Sequence, residues 1–413
     1  MAPTVIIPTF WTRRTTRGRG RSRFHYDHPT ALGEKGTLPA CLRSLEGVRG
    51  LGKVIILVVG TDETVEQPAE DQVREILAEH PRIDAFVFGA AELGSLRRRL
   101  EQLEFSDMIG GTMLGGYGAV RNAGLMLGAV MGSEVVVFLD DDQLVIDSEY
   151  LVRAMDGIGE QTPSRHPLLA KSGYYVDEGG LPAKRPLTKW HDVAWRQNEY
   201  FNEALSMVTR QPRIKPSPMA FGGCLALHRN MYCSVPFDPW AIRGEDMDYV
   251  INARMHGGDV FMDSDWSLVH RPPKPSSAAA IFKDDVFRFV YTHRKLEFSK
   301  SQVDLRQVRP EDLLPYPGKF CDSSIVWRAR VTAFLRAFTS PERSEYFAIA
   351  RRAVSEAERY ALENCERYFA FQRRWPMLMD RLWLDVALKS LFSGERRVDR
   401  GALTGRLPII RID

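Results

Sequence analysis

The sequence predicts an α/β protein in which a mixed sheet is flanked by helices and followed by a helical C-terminal extension. In residues 1–150, short apolar runs alternate with amphipathic stretches, the pattern of strands connected by helices. The runs at 54–59 and 135–139 are continuously apolar, as in parallel strands that are covered on both faces. Beyond residue 273, helical periodicity dominates and arginine and glutamate are frequent.

The individual elements follow from the same periodicities. Strands are predicted over 5–7 (ending at Pro8), 54–59, 85–88, 135–139, 168–175, 220–227, 259–263 and 266–270. Helices are predicted over 38–45, 71–80, 118–131, 193–208 and 246–255, and in the extension over 323–338, 344–371 and 377–392. No internal repeat is found. Aromatic and leucine stripes in the last three helices predict a core or a subunit interface, so a homo-oligomer is expected there.

Composition excludes several classes of protein. With 413 residues, 44% hydrophobic and 26% charged, the chain cannot be mainly disordered. No stretch approaches about 18 uninterrupted apolar residues, which argues against a transmembrane segment. The 56 basic and 53 acidic residues give a net charge of +3, which argues against general nucleic-acid binding. Five scattered cysteines predict reduced thiols, and the absence of a leader-like start predicts a cytoplasmic protein.

A short arginine-rich segment follows the first predicted strand. Three interpretations stay open: a solvated loop, an anion-binding loop that contacts a phosphorylated ligand, and a non-specific nucleic-acid arm. The six guanidinium groups of the segment belong to Arg13, Arg14, Arg17, Arg19, Arg21 and Arg23.

Three adjacent carboxylates, Asp140, Asp141 and Asp142, follow the predicted strand 135–139 directly. Adjacent carboxylates repel one another unless a cation or hydrogen-bond donors compensate them. In open α/β sheets, ligands bind outside the carboxyl ends of the strands. The triplet therefore predicts a site for a diphosphate and its divalent metal, with a solvated acidic turn or a helix cap as the alternative.

Four further motifs accompany the triplet. Arg121 and Asn122 lie in a small-residue helix start, and paired glycines at 222–223 would let the backbone pass close to a ligand. Carboxylates at 245, 246 and 248 crowd a helix start, where the helix dipole alone would favour them. His270 ends a strand and could add a nitrogen ligand, although a lone histidine is more often structural.

Taken in order, these motifs resemble a GT-A-fold glycosyltransferase of the family 2 type. The resemblance covers residues 4–270 and rests on Val5-Ile6-Ile7-Pro8-Thr9, Arg121-Asn122-Ala123-Gly124, Phe138-Leu139-Asp140-Asp141-Asp142, Gly222-Gly223 with Arg229, Phe237-Asp238, Gly244-Glu245-Asp246-Met247-Asp248 and His270. It implies a GT-A domain over 1–273, with a nucleotide-binding half (1–150) and an acceptor half (151–273), followed by an extension over 274–413.

The resemblance also implies roles for individual residues. It implies that the metal is bound by Asp142, His270 and Asp140, where the two aspartates belong to the Asp-x-Asp motif. Catalysis falls to Asp246 as general base, with Glu245 beside it. Donor binding falls to Pro8, Thr9, Asp62, Arg121, Asp140, Asp141, Gly222 and Gly223.

The implied activity is metal-dependent transfer of a sugar from a nucleotide-diphosphate donor to a hydroxyl acceptor, with inversion at the sugar. The arginine-rich segment lies next to the implied nucleotide edge, which suggests either an anionic acceptor or a lid over the donor diphosphate. The cofactor is Mn²⁺ or Mg²⁺, and a histidine beside carboxylates favours Mn²⁺. Two alternatives stay open. One is a nucleotidyltransferase acting on sugar phosphates, and the other is a non-catalytic scaffold on a degenerate transferase fold.

Overall fold

The computed structural model describes residues 2–13, 26–273 and 277–392. Of the arginine-rich segment only Arg13 is described; Arg14, Arg17, Arg19, Arg21 and Arg23 lie outside the described residues. The loop interpretations given above are therefore untested.

Within the described ranges the strands are β1 (Thr4–Thr12), β2 (Thr30–Ala31), β3 (Val54–Gly60), β4 (Ala85–Phe88), β5 (Val135–Phe138), β6 (Gln143–Leu144), β7 (Ala170–Val176), β8 (Ile214–Pro216), β9 (Leu225–His228) and β10 (Phe261–His270). The helices of the α/β part are α1 (Leu38–Leu45), α2 (Glu63–Ala78), α3 (Ala90–Gln102), α4 (Tyr117–Val130), α5 (Tyr150–Met155), α6 (Gln197–Val208), α7 (Arg229–Tyr232) and α8 (Glu245–Met255). Those that follow are α9 (Ala278–Ser299), α10 (Ile325–Thr339), α11 (Arg343–Ala348), α12 (Val354–Trp383) and α13 (Val386–Phe392), with a π-helical turn at Ile349–Ala353.

The strands form one mixed sheet, which confirms the predicted fold class. Its order is β4-β3-β1-β5-β9-β7-β10-β6, with β2 beside β1 and β8 beside β10. The first four strands in this order are parallel, whereas β9 is antiparallel to both β5 and β7. Side chains that alternate along β1, β3 and β5 enter two hydrophobic clusters, one on each face of the sheet. Helices from both parts of the chain cover these clusters.

Strand β1 continues past Pro8, which the sequence had placed at its end. The Val5 amide donates to Lys53 on the β3 side, and the Ile6 carbonyl accepts from the Leu139 amide on the β5 side. The backbone N–H and C=O groups of even-numbered residues of β1 therefore point toward β5, and the hydrogen-bonded ladder to β5 ends at Ile6. The missing N–H of Pro8 consequently costs no ladder bond.

Several other elements differ from prediction: α3 was not predicted, and α12 joins parts of the helices predicted over 344–371 and 377–392. Three further differences concern elements that carry site residues. Helix α2 begins at Glu63 rather than near residue 71, because its first turns are rich in glutamate and contain Pro68. The strands predicted over 259–263 and 266–270 are one strand, β10. Helix α9 was not predicted, because its buried face includes charged residues that mask the apolar period, among them Arg288 and Lys295.

Helix α9 joins the extension to the α/β part through a buried ion cluster. The ammonium of Lys295 lies 2.7 Å from an Asp238 oxygen and 2.8 Å from an Asp248 oxygen, and no more than 4% of any of these three side chains is exposed. Tyr291 donates a 2.9 Å hydrogen bond to Asp238. Asp248 belongs to α8, so α9 fixes the helix that carries Glu245 and Asp246. The division at residues 273/274 stays a prediction.

None of the described helices combines the length and apolar character needed to cross a bilayer. All five cysteines are free thiols, and all but Cys233 are buried.

Replacing Lys295 with methionine should lower the free energy of unfolding by about 3–5 kcal/mol, because two buried carboxylates lose their counter-charge. Urea denaturation of the full chain measures the change. Lys300→Met, on an exposed lysine that follows the same helix, should change it by no more than about 0.5 kcal/mol. Equal stability of the two variants would contradict the role of Lys295.

Candidate active site

Asp142 and His270 meet at the carboxyl end of the central strands. The antiparallel register of β6 and β10 pairs His270 with Gln143, next to Asp142. This brings Nε2 of His270 within 3.2 Å of a carboxylate oxygen of Asp142. The Arg271 amide donates to the Asp142 carbonyl at 3.0 Å, which fixes the two segments against each other. The structure thus joins two residues that lie 128 positions apart in the sequence.

Arg121 is the buried cation of the site. From α4 its Nη2 contacts Asp140 at 2.7 Å, and its Nε contacts Glu245 at 3.4 Å. Its remaining nitrogen, Nη1, is buried and has no hydrogen-bond partner in the described part of the chain. Burial acts to lower the pKa of Arg121, but Asp140 and Glu245 more than compensate, and the net shift is upward. The guanidinium is therefore charged and has one N–H group to offer a ligand.

The three adjacent aspartates each take a different partner. Asp140 contacts Arg121 with one oxygen and accepts from Gln143 with the other at 3.2 Å. Asp141 accepts a 2.6 Å hydrogen bond from Thr9 of β1, and burial raises its pKa to about 7. Asp142 faces His270. The three carboxylates of the triplet therefore contact different residues instead of sharing one ligand site.

The paired glycines permit close approach to these acids. A Cβ atom at Gly222 would lie 2.9 Å from Nη2 of Arg121, and one at Gly223 would lie 2.5 Å from an Asp140 oxygen. The Gly222 amide donates to Asp246 at 3.1 Å. The glycine pair therefore forms the floor between the aspartates after β5 and the acids that begin α8.

Glu245 and Asp246 occupy different environments although they are neighbours. Asp246 accepts hydrogen bonds from the backbone amides of Gly222 and Met247, at 3.1 and 2.8 Å. Glu245 is buried beside Arg121. Burial raises the pKa of Glu245 to about 7, with a further increase from Asp246, while Arg121 opposes the shift.

The remaining donor-site predictions lie at neighbouring strand ends. Pro8 is buried within β1, and Thr9 beside it contacts Asp141. Asp62 begins α2 as its N-cap and accepts from the Thr64 amide at 3.0 Å. Among the described residues it forms an ion pair with Arg13, with 3.9 Å between Nε and a carboxylate oxygen. Asp62 thus lies beyond the end of β3 and contacts none of the three aspartates directly.

Several site residues were not predicted from the sequence. Tyr175 of β7 accepts from the Gly223 amide at 3.1 Å, and its ring centroid lies 4.6 Å from that of His270. The side chain of Gln143 accepts a hydrogen bond from the Asp140 amide and donates one to the Asp140 carboxylate. Arg288 of α9 packs on Gly244. Only Gln143 carried a signal, its position directly after the aspartates.

Among the described residues, no group of three or more histidine, cysteine or acidic side chains is arranged to hold a metal. Asp142 and His270 offer one oxygen and one nitrogen donor. These fit a cation that takes its other ligands from water and substrate phosphates, as Mg²⁺ commonly does. The unpartnered Nη1 of Arg121 fits an anion in the same site. Asp140, the predicted third ligand, directs its oxygens to Arg121 and Gln143 instead.

The chain is similar to three solved structures at low sequence identity. The first is a mannosyltransferase from Pyrobaculum calidifontis, in complex with GDP-Man and Mn²⁺ (15% identity, TM-score 0.46, 93% of this chain and 88% of that chain). The second is a mycobacterial protein (15%, 0.37, 70% and 72%). The third is glucosyl-3-phosphoglycerate synthase from Mycobacterium tuberculosis, in complex with Mg²⁺ and uridine diphosphate (14%, 0.38, 70% and 77%). At these scores the likeness assigns no role to any residue.

No protein-family model and no curated protein matches the chain.

Replacing Glu245 with glutamine should change how stability depends on pH. Folded Glu245 keeps its proton up to about pH 7, whereas the unfolded chain releases it near the ordinary value of 4.5. The unfolding free energy of the wild type should therefore fall, relative to Glu245→Gln, as pH rises between these values. Denaturation curves from pH 4 to 8 measure this difference. The exposed Glu75→Gln should track the wild type; a pH-independent difference for Glu245→Gln would contradict the raised pKa.

Proposed function

We propose that the protein is a metal-dependent glycosyltransferase that moves a sugar from a nucleotide-diphosphate donor to a hydroxyl acceptor. One observation carries the proposal. The Asp142–His270 pair and the unpartnered guanidinium nitrogen of Arg121 lie beside the same three aspartates, Asp140–Asp142, at the carboxyl edge of the sheet. This combination suits a diphosphate together with its cation.

Asp142 and His270 would hold Mn²⁺ or Mg²⁺. When bound, such a cation neutralises the negative charge that develops on the departing nucleoside diphosphate. Arg121 would donate Nη1–H to a phosphate oxygen, while its contacts with Asp140 and Glu245 keep the guanidinium in place. The mixed nitrogen and oxygen donors favour Mn²⁺.

The strand ends beside Asp140–Asp142 would hold the nucleoside part of the donor. Thr9 orients Asp141 through its hydroxyl, and Pro8 fixes the adjacent backbone. Asp62, at the start of α2, is proposed to contact the base.

Asp246 is proposed as the general base. Two backbone amides fix its carboxylate, and lone pairs remain for the acceptor hydroxyl. The acceptor oxygen would attack the anomeric carbon, the bond from that carbon to the phosphate oxygen would break, and the hydroxyl proton would pass to Asp246. Attack from the face opposite the diphosphate gives inversion. Glu245 would act by holding Arg121, and Gly222 and Gly223 would line the space beneath the sugar.

Further parts of the proposal concern the class and setting of the enzyme. The transferred group is proposed to be a hexose and the location the cytoplasm. Self-association through the C-terminal helices is supported by an exposed apolar stripe on α10. Its members are between 40% and 56% exposed and recur at helical spacing, at Trp327, Val331, Phe334 and Phe338.

Two isosteric variants test the proposal. Calorimetry with UDP, GDP, dTDP and CDP, each with and without Mn²⁺, should find metal-dependent binding of at least one diphosphate. Asp142→Asn should abolish the metal dependence, because the ligand charge is lost. Asp246→Asn should retain binding but lower transfer about 10²–10⁴-fold with the matching nucleotide-sugar. Asp84→Asn, on an exposed aspartate, is the matched control.

Four outcomes would contradict the proposal. Binding that is unchanged in Asp142→Asn would remove the metal role, and full transfer by Asp246→Asn would remove the base. Release of pyrophosphate from a nucleoside triphosphate, without sugar transfer, would identify the nucleotidyltransferase instead. The absence of any diphosphate binding would favour the scaffold.

A further inference from the structure

Arg288 is a buried cation whose charge no carboxylate compensates directly. It lies on α9, and only 9% of it is exposed. Its Nη1 donates to the Tyr316 hydroxyl at 3.3 Å, whereas its Nη2 is buried without a partner in the described part of the chain. Among those same residues no carboxylate oxygen lies within 4.0 Å of the guanidinium. A charged group buried in this way favours an external anion.

The position of Arg288 relates it to the proposed general base. Its guanidinium lies directly against Gly244, where a Cβ atom would be 2.3 Å from the guanidinium carbon. Gly244 has a left-handed backbone (φ 70°) and forms the N-cap of α8, two residues before Asp246. A side chain at position 244 would thus be strained and would also displace Arg288. The guanidinium of Arg288 therefore lies on the Asp246 side of the site, whereas Arg121 contacts Asp140.

A second guanidinium shares the same aromatic neighbour. Arg185, in the segment that follows β7, lies 3.9 Å from the ring centroid of Phe201 and 5.8 Å from that of Tyr316. Arg288 lies 5.7 Å from the Tyr316 centroid. No described carboxylate forms an ion pair with Arg185. Both guanidinium groups therefore border the ring of Tyr316.

The described acids near Arg288 do not form an ion pair with it. Asp285 and Asp246 act on Arg288 only at a distance, and Arg243, the other cation near Gly244, is already paired with Asp27 at 2.8 Å. Of the two described cations next to Gly244, Arg288 is thus the one with a buried terminal nitrogen that has no partner. A guanidinium can offer parallel N–H donors to two oxygens of a phosphate or carboxylate.

We infer that Arg288 and Arg185 form an anion subsite for the acceptor, which is a hydroxyl compound that carries a phosphate or carboxylate group. The inference rests on the proposed function, because that function identifies the Asp246 side as the acceptor side. The anion would be held at Arg288 while a hydroxyl of the same molecule faces Asp246. The subsite would select charged over neutral acceptors, since an unpaired buried guanidinium penalises a neutral one.

Calorimetry on the full chain tests this inference, with the protein saturated in Mn²⁺ and the nucleoside diphosphate that binds. Three probes are titrated: inorganic phosphate, acetate, and glycerol as the neutral control. Wild type should bind at least one anion and not glycerol. Arg288→Gln should raise the Kd of that anion at least tenfold, and Arg185→Gln should raise it by a smaller factor. Arg294→Gln, on the same helix but paired with Glu358, should leave it unchanged.

The outcomes separate the two proposals. Phosphate binding without acetate binding assigns a phosphate-bearing acceptor, and acetate binding assigns a carboxylate. Normal diphosphate binding together with equal anion affinity in wild type, Arg288→Gln and Arg185→Gln would overturn the subsite alone. Wild type that binds neither anion would overturn it as well.

If no diphosphate binds, the same titration on the free protein decides between the proposals. Anion binding that depends on Arg288 would then support an anion site and contradict the proposed function. Should Arg288→Gln not fold, as judged by circular dichroism, Arg185→Gln decides the question, because its side chain is only partly buried. An unchanged anion Kd in folded Arg185→Gln would in that case overturn the subsite.

Discussion

The ion pairs of Arg121 are the interaction on which the site depends. One guanidinium joins Asp140, which follows β5, to Glu245, which begins α8. These two segments are far apart in the sequence, and the glycine pair at 222–223 lies between them with room for hydrogen only. Because Asp140 and Glu245 are both occupied by this contact, Asp142 and Asp246 are left for ligands. Loss of the cation would leave Asp140 and the buried Glu245 without their shared partner and would remove the contact that joins the two sides of the site.

The helical extension belongs to this arrangement rather than standing apart from it. Lys295 of α9 neutralises Asp238 and Asp248, and thereby fixes the direction of α8 behind Glu245 and Asp246. One and a half to two turns earlier on the same helix, Arg288 covers Gly244. A single helix thus supplies both the support for the acidic helix and the cation proposed to select the acceptor. This dual role accounts for charged residues on the inner face of a buried helix.

The sequence predicted best where chemistry and strand position coincide. Asp140–Asp142 directly follow an apolar strand, and the glycine pair and His270 have recognisable contexts, so their convergence could be expected. The partner of each aspartate could not be predicted, because the contacts with Thr9, Gln143 and Arg121 form only in the folded chain. Helix α9 lacked a clean apolar period, since Arg288 and Lys295 are buried by pairing and packing rather than by hydrophobicity. Tyr175 carried no signal, because a tyrosine in a strand is ordinary.

The central claim is that Asp142 and His270 hold a divalent cation together with a bound nucleoside diphosphate. Pulsed electron paramagnetic resonance of Mn²⁺ on the full chain tests it most directly, because this method detects nitrogen nuclei bonded to the metal. The account predicts a directly coordinated imidazole nitrogen when diphosphate is present, and its loss in His270→Gln, while the unrelated histidine variant His166→Gln keeps the signal. Mn²⁺ bound without a nitrogen ligand, or a nitrogen signal that survives in His270→Gln, would contradict the account.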